Sequence, residues 1–123
     1  MKCPKCDGSM EQIQNPFADY EQCTSCKGLW LDMLENEDLR EVAAAIDTGD
    51  PEVGKKFNTK ANVYCPACSN TKMLAMVDPG QPHIWFESCP NCYGRFYDAG
   101  EFKDVSEQTF SDFIKRLFAR ERK

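Results

Sequence analysis

Short runs of residues typical of strands, separated by turn residues, predict two β-hairpins and two further strands. Asn15-Pro16 divides the first hairpin, and the segment Asp78–Pro82 divides the second. The last strand of the second hairpin is rich in aromatic and β-branched residues, as strands usually are. The predicted strands are Ser9–Gln14, Ala18–Gln22 and Gly28–Leu31 in the first half of the chain, and Lys72–Val77, His83–Ser88 and Gly94–Tyr97 in the second.

A helix is predicted after each set of strands, over Met33–Ile46 in the first half and from Ala99 towards Arg120 in the second. At the predicted start of each helix stands an Asp-x-x-Glu sequence, which is the spacing of a capping box. The second helix carries an apolar stripe at three- and four-residue spacing. The caps are Asp32 with Glu35 and Asp98 with Glu101, and the stripe consists of Phe110, Phe113, Ile114, Leu117 and Phe118.

These elements divide the chain into two units joined by a polar segment. Residues 1–48 and 61–123 each hold one set of strands and one helix, while residues 49–60 form a predicted linker without a clear period. A unit of about sixty residues is near the lower limit for a self-sufficient hydrophobic core. We therefore expect a small α+β protein that is stabilised by metal.

Charge and hydropathy narrow the range of partners. The formal net charge is −5, which works against a general attraction to nucleic-acid phosphates. No apolar run approaches the ~20 residues needed to span a membrane, and the N-terminus lacks the apolar region of a signal peptide. We therefore expect a cytoplasmic protein. A basic cluster near the C-terminus contains Lys115, Arg116, Arg120, Arg122 and Lys123.

All eight cysteines fall into four Cys-x-x-Cys pairs, and the four pairs form two quartets. Two such turns can supply the four corners of a tetrahedral thiolate site, and a closed site of this kind indicates structural rather than catalytic zinc. A rubredoxin-like iron site or redox-active dithiols are alternatives, because the same geometry accepts iron. Disulfides do not suit a reducing cytosol. The predicted ligands of two Zn²⁺ ions, one for each quartet, are Cys3, Cys6, Cys23 and Cys26 in the first and Cys65, Cys68, Cys89 and Cys92 in the second.

The turns that hold these cysteines carry a second signal. Two residues after each pair stands Gly8, Gly28, Asn70 or Gly94, and these residue types tolerate the positive φ that such a turn often requires. His83, the single histidine, is predicted to be a solvent-facing strand residue rather than a ligand.

The residues around the cysteines resemble the transcription-factor-IIB-type zinc ribbon family, whose usual form is Cys-Pro-x-Cys, a hairpin, then Cys-x-x-Cys-x-Gly-x-Trp-Leu-Asp-x-x-Glu. This resemblance implies two tandem zinc ribbons, each a β-hairpin with paired cysteine turns, in which the eight cysteines are the ligands. The family's name also implies a link to transcription. The first copy matches at Cys3-Pro4, Cys6, Cys23, Cys26, Gly28, Trp30, Leu31, Asp32 and Glu35. The second matches at Cys65-Pro66, Cys68, Cys89-Pro90, Cys92, Gly94, Asp98 and Glu101, with Phe96 and Tyr97 in place of Trp-Leu.

The sequence contains no nucleophile–base motif and no phosphate-binding glycine loop, so we expect a protein that is not an enzyme. The favoured interpretation is a protein-interaction or adaptor module. The C-terminal apolar stripe is the candidate docking surface for a partner protein or for a second copy in a homodimer, although such a stripe more often packs within its own chain. The alternative is a nucleic-acid-binding ribbon, in which basic residues and exposed aromatic rings would hold a strand. The candidate rings are Trp85, Phe86, Tyr93 and Phe96, although packing in the core of a small domain is the preferred interpretation of these residues.

Overall fold

The computed structural model describes residues 1–16, 18–32, 35, 39, 42–68, 70–78 and 81–103. These residues form a small α+β structure built mostly from an antiparallel sheet. The strands are β1 (Met10–Ile13), β2 (Tyr20–Cys23), β3 (Leu29–Leu31), β4 (Leu74–Val77), β5 (Trp85–Ser88) and β6 (Arg95–Tyr97). The helices within the described residues include α1 (Ala43–Ile46) and α2 (Pro51–Asn58).

The strands of both halves belong to a single sheet with the order β1-β2-β3-β6-β5-β4. Each half contributes three consecutive strands, and the halves meet where β3 pairs antiparallel with β6. In that pairing Trp30 lies opposite Phe96, which is the same position of the repeated sequence, and Leu29 lies opposite Tyr97. The register is therefore symmetric about the Trp30–Phe96 pair. The sheet runs on across the predicted boundaries at residues 48 and 61, which themselves stay predictions.

Two glycines let the halves approach closely. Gly28 lies against the ring of Phe96, and Gly94 lies against the ring of Trp30, where a Cβ atom would come within 2.5 Å of ring carbons. Neither glycine has a positive φ, so the requirement is for space and not for an unusual backbone. The repeated Gly-x-aromatic sequence thus packs each half against the other.

The sheet separates two clusters of buried residues. One contains Leu31, Tyr97 and Phe102, and α1 contributes Ile46 to it. The other contains the central pair Trp30 and Phe96 together with the cysteines. Because strand side chains alternate between faces, the cysteine sites and the cluster of aliphatic and aromatic residues occupy different sides of one thin sheet.

Residues 49–60, which the sequence predicts to be a linker without regular structure, contain helix α2. Asp50 caps this helix by accepting a hydrogen bond from the Glu52 N–H at 2.9 Å, and Pro51 occupies its first turn. Gly54 lies directly against the backbone of Ala99, where a Cβ would clash. The sequence did carry the start signal, an N-cap Asp followed by Pro, but eight residues are too few to show a helical period.

The two predicted capping helices are described only in part. For the first, the capping box is present, with Glu35 N–H donating to Asp32 Oδ1 at 2.8 Å and Asp32 N–H donating to Glu35 Oε1 at 3.1 Å. The second predicted helix lies outside the described residues beyond Lys103, as do the apolar stripe and the basic C-terminal cluster. Within the described residues, no helix has the length and apolar character needed to cross a bilayer.

Candidate metal centres

Each quartet is built from two tight turns that close in the same way. The N–H of the first cysteine in each pair donates to a carbonyl beyond the second: Cys3 to Gly8 at 2.8 Å, Cys23 to Gly28 at 2.9 Å, and Cys89 to Gly94 at 3.0 Å. The third turn is one residue longer, and there the Cys65 N–H donates to the carbonyl of Thr71 at 2.8 Å. Short strands lead into and out of the Cys23 and Cys89 turns, and the isolated bridges Lys2–Ser9 and Tyr64–Lys72 flank the other two, so backbone pairing fixes where each pair of sulfurs lies.

The prediction of positive φ was right for Asn70 and wrong for the three glycines. Asn70 has φ 57°, whereas the left-handed residue of the other described turns directly follows the second cysteine. Because that position comes one residue earlier than expected, the glycines supply a closing carbonyl and space instead. The left-handed residues are Asp7, Lys27 and Tyr93, each with φ 63°.

The structure brings the eight predicted ligands together as two separate groups of four. In each group the sulfur atoms all lie within 4.8 Å of one another. The Sγ–Sγ distances are 3.7 Å for Cys3–Cys26, 3.4 Å for Cys6–Cys23 and 3.8 Å for Cys65–Cys92. Four sulfurs at a Zn–S distance of about 2.3 Å in a tetrahedron would be about 3.8 Å apart. Both quartets therefore have the size of a tetrathiolate zinc site.

Backbone N–H groups point at the first sulfur of all four pairs. In the second quartet, Cys65 Sγ accepts from the N–H of Ala67 at 3.4 Å and of Cys68 at 3.2 Å. Cys89 Sγ accepts from the N–H of Asn91 and of Cys92, both at 3.4 Å. Hydrogen bonds to a thiolate favour its charged form, and the thiolate is the form that binds metal. These turns are preorganised for metal ligation.

In the metal-free protein, the pKa values of these neighbouring thiols differ widely. The hydrogen bond from the Cys26 thiol lowers the pKa of Cys3 to about 5, and the same bond raises the pKa of Cys26. Burial raises the pKa of Cys65 to about 12. Burial also raises the pKa of Cys89, but the hydrogen bonds from the backbone N–H groups of Cys92 and Asn91 outweigh this effect and lower the pKa to about 7. A metal ion that binds all four sulfurs must therefore displace protons, and its affinity will depend on pH.

The chemistry of both donor sets fits zinc. All four donors in each group are sulfur, and in the first quartet three of the four cysteines are buried. A zinc ion held this way would cross-link two turns and the strands between them. His83 belongs to neither group; it is exposed, as predicted, although it lies in the turn before β5 and not in the strand.

A buried lysine ties the first metal turn to the second half of the chain. The Lys5 side chain, between Cys3 and Cys6, has 0% of its surface exposed. Its Nζ donates to Glu87 Oε2 at 3.0 Å, to Asp98 Oδ2 at 3.0 Å and to the carbonyl of Phe57 at 2.6 Å. One ammonium thus joins β5, the end of β6 and α2.

The balance of charge in this cluster is uneven. Two carboxylates share one cation, and one oxygen of each, Glu87 Oε1 and Asp98 Oδ1, has no hydrogen-bond partner among the residues that the structure describes. Burial raises the pKa of Glu87 to about 7 and that of Asp98 to about 6, despite the attraction of Lys5. Sequence reasoning missed this cluster, because nothing local in Cys-Pro-Lys-Cys indicates that the lysine side chain points inwards.

The same cluster explains why the second Asp-x-x-Glu sequence does not form the predicted capping box. The Asp98 carboxylate accepts a hydrogen bond from Lys5 instead of capping the following backbone. The Glu101 N–H donates to the Asp98 backbone carbonyl at 3.0 Å. Glu101 accepts from Asn58 Nδ2 at 2.7 Å and from the Trp85 N–H at 3.0 Å. Asp47 fixes the backbone that follows Asp98, because its carboxylate accepts from the N–H groups of residues 100 and 103 at 3.0 and 2.9 Å.

The four aromatic residues considered for nucleic-acid stacking divide into two kinds. Phe86 and Phe96 are buried in the two cores, as small-domain packing predicts. Trp85 and Tyr93 are exposed, with 43% and 60% of their surface accessible. Only Trp85 and Tyr93 are therefore open to a ligand.

The fold and the two sulfur clusters define a class of protein, the zinc ribbon, in which turns of paired cysteines join short antiparallel strands. Residues 2–42 match the family described as transcription factor zinc-finger, the transcription-factor-IIB-type zinc ribbon. The second group of four cysteines, at residues 65–92, is consistent with two ribbons in tandem. No curated protein and no solved structure matches the chain.

Proposed function

We propose that the protein is a non-enzymatic adaptor in which two structural Zn²⁺ ions stiffen one small sheet for binding another protein. The observation that carries the proposal is that each group supplies four sulfur atoms within 4.8 Å of one another, which is enough to fill a tetrahedral zinc site. A zinc ion so enclosed has no open position for water or substrate. The metal then serves the fold, and the function falls to the surface that the fold presents.

Zinc content tests the metal part of this proposal. We expect two zinc ions per chain, one for each quartet, by elemental analysis of protein isolated without added metal. The protein should be colourless. A coloured protein that contains iron would favour the rubredoxin-like alternative, because tetrathiolate sites also accept iron.

The other unusual charged group also lacks the features of a catalyst. The buried carboxylates Glu87 and Asp98 have perturbed pKa values, which often mark functional sites. Both, however, are bonded to Lys5, whose side chain is fully buried and cannot reach a substrate. This cluster is better explained as a link between the two halves.

Partner capture tests the adaptor function. The tagged protein would be isolated from its host lysate, with and without nuclease treatment. A protein that copurifies in both cases supports the adaptor proposal, and a cytoplasmic partner would fit the expected location. Loss of all partners after nuclease treatment would favour nucleic-acid binding instead, in which exposed Trp85 and Tyr93 supply stacking.

The family description supports, as part of this proposal, a partner connected with transcription. The docking surface favoured by the sequence, the apolar stripe after Lys103, lies outside the described residues. A partner or a second copy bound there stays a prediction. The described residues offer a different surface.

A further inference from the structure

The two outer strands of the sheet differ although they come from equivalent positions of the repeat. The strand β1 is the edge strand on one side of the sheet, and β4 is the edge strand on the other. In β1 the residues Glu11 and Gln12 are exposed and polar. In β4 all four residues, Leu74–Val77, are apolar and exposed. Natural sheets usually protect their edges with charge, bulges or a covering segment, so an exposed apolar edge requires an explanation.

The hydrogen-bond register shows which groups of β4 face outwards. The Asp78 N–H donates to the Ile84 carbonyl at 2.9 Å, towards β5, and the Met73 N–H donates to the Val63 carbonyl at 2.8 Å, away from β5. Because antiparallel strands alternate these directions, the backbone groups of Ala75 and Val77 also point away from β5. The described residues give them no backbone partner, since Val63 pairs only with the start of the edge.

A groove runs along this open part of the edge. Two adjoining cavities of about 400 and 340 Å³ lie between residues 58–63 and β4, and they share four lining residues: Lys60, Ala61, Ala75 and Glu87. Trp85, exposed beside Val77, lines the wider end. The groove therefore offers both unpaired backbone groups and apolar surface, which are the two elements of binding by strand addition.

The charges around the groove indicate the sign of its ligand. Lys60 and Lys72 line it, and Lys60 Nζ also donates to the backbone carbonyl of Lys5, which leaves its positive charge uncompensated. Glu87 is the acidic residue of the lining. Glu87 is already paired with Lys5. More widely, residues 53–77 contain four lysines and no Asp or Glu, in a chain whose formal net charge is −5. A second copy docked symmetrically would bring the same lysines together, since such interfaces place one patch against itself.

We propose that this groove binds an extended acidic peptide of a partner protein, which adds as a strand to the β4 edge at Ala75 and Val77. Alternate residues of the peptide would be apolar and would contact Val77 and Trp85 on one face of the sheet, while the residues between them would lie on the other face, beside Leu74 and Met76. Its carboxylates would lie near Lys60 and Lys72. This inference rests on the proposed adaptor function and gives it a surface and a ligand class.

Selection from a displayed library of random peptides about nine residues long, the length of a long strand, tests the inference on the zinc-loaded full chain. We expect enriched peptides to carry net negative charge and apolar residues at alternate positions. The critical variant is Ala75→Pro, which removes the outward N–H while leaving the inner pairing intact. It should weaken the selected peptides about tenfold, the loss expected for one or two backbone hydrogen bonds.

The repeat supplies a matched control. Gln12→Pro makes the same change at the equivalent outward position of β1 and should leave peptide affinity unchanged. If Ala75→Pro fails to retain two zinc ions, Lys72→Glu replaces it, and this variant should also weaken acidic peptides.

Several results would overturn the inference. The first three are no enrichment of peptides above background, enrichment of basic peptides, and a peptide affinity that neither groove variant changes. Occupation of the groove by a second copy, seen as self-association in sedimentation, or by nucleic acid would also overturn it. A lysate partner that Ala75→Pro still captures would also overturn it while leaving the adaptor function standing. If the wild-type chain captures no protein at all, the adaptor function itself fails.

Discussion

Asp32 and Asp98 occupy the same position of the repeated sequence, but the structure uses them differently. Asp32 is exposed and closes a capping box with Glu35. Asp98 is buried, and its carboxylate receives Lys5 from the opposite half of the chain. Alanine replaces the lysine in the corresponding turn of the second half, at Ala67, so the reciprocal contact cannot form. The repeat is symmetric in its metal sites and asymmetric in the contacts that join them.

This difference indicates how the two ribbons depend on one another. The symmetric contacts are the β3–β6 pairing and the two glycine–ring contacts. The asymmetric contact is the ion cluster, which uses one lysine from the first half and two carboxylates from the second. Together they make a single structure from two small units, neither of which has a large core of its own.

Removal of one metal ligand should have the largest effect. Structural zinc supplies about 10 kcal/mol or more of apparent folding free energy in small domains, and Cys26→Ser or Cys92→Ser would remove one such contribution. Because both sites are attached to one sheet, we expect the surviving site to bind zinc more weakly than in the wild type. Competition with a chromophoric chelator measures that affinity, and urea unfolding should show one transition. Unchanged affinity at the surviving site would mean that the two ribbons are independent.

Loss of the buried lysine should have the next largest effect. Lys5→Met would leave Glu87 and Asp98 facing each other without a cation, and breaking a buried ion pair in this way costs about 3–5 kcal/mol. Urea unfolding of the zinc-loaded protein measures the change. Lys2→Met, at an exposed lysine one residue before the same turn, is the control and should change stability by no more than about 0.5 kcal/mol. Similar values for the two variants would show that the cluster contributes little.

The glycine–ring contacts should contribute less, and equally on the two sides. Gly94→Ala places a Cβ against Trp30, and Gly28→Ala places one against Phe96; overpacking of this kind costs about 1–3 kcal/mol. A smaller ring partner should relieve the cost, so Gly28→Ala combined with Phe96→Leu should be less destabilising than the sum of the two single changes. Thermal unfolding of the four proteins measures this coupling. Strict additivity would argue against the contact.

The features that sequence predicted well are those fixed by local spacing. Cysteines three positions apart must share a turn, so the four pairs could be found without knowing the fold, and the Asp32 capping box depends on residues with the same separation. The features that it missed depend on the packing of one half against the other. The inward direction of Lys5, the closeness of Gly28 to Phe96 and the position of α2 against Ala99 all join residues more than forty positions apart.

A pH comparison of the two equivalent aspartates gives the smallest effect. The folded-state pKa of Asp98 is raised to about 6 from 3.8 by burial, so the folded protein holds this proton more tightly than the unfolded chain. The stability that this proton contributes is fully present below the unfolded pKa and is lost as the pH rises towards about 6, by up to about 1.4 kcal/mol per pH unit. The Asp98→Asn variant has no carboxyl group at this position, so its stability does not show this fall with rising pH. The free energy of unfolding of the variant minus that of the wild type should therefore rise between pH 5 and pH 6 and become constant above about pH 7.

Comparison at matched pH and excess zinc removes the contribution of thiol protonation, which is common to both proteins. The control is Asp32→Asn, at the equivalent but exposed position, for which the difference from wild type should show no such rise over this range. If the Asp98 and Asp32 variants gave the same pH profile, the burial of Asp98 against Lys5 would not control its protonation. The two halves would then be joined by packing and strand pairing alone.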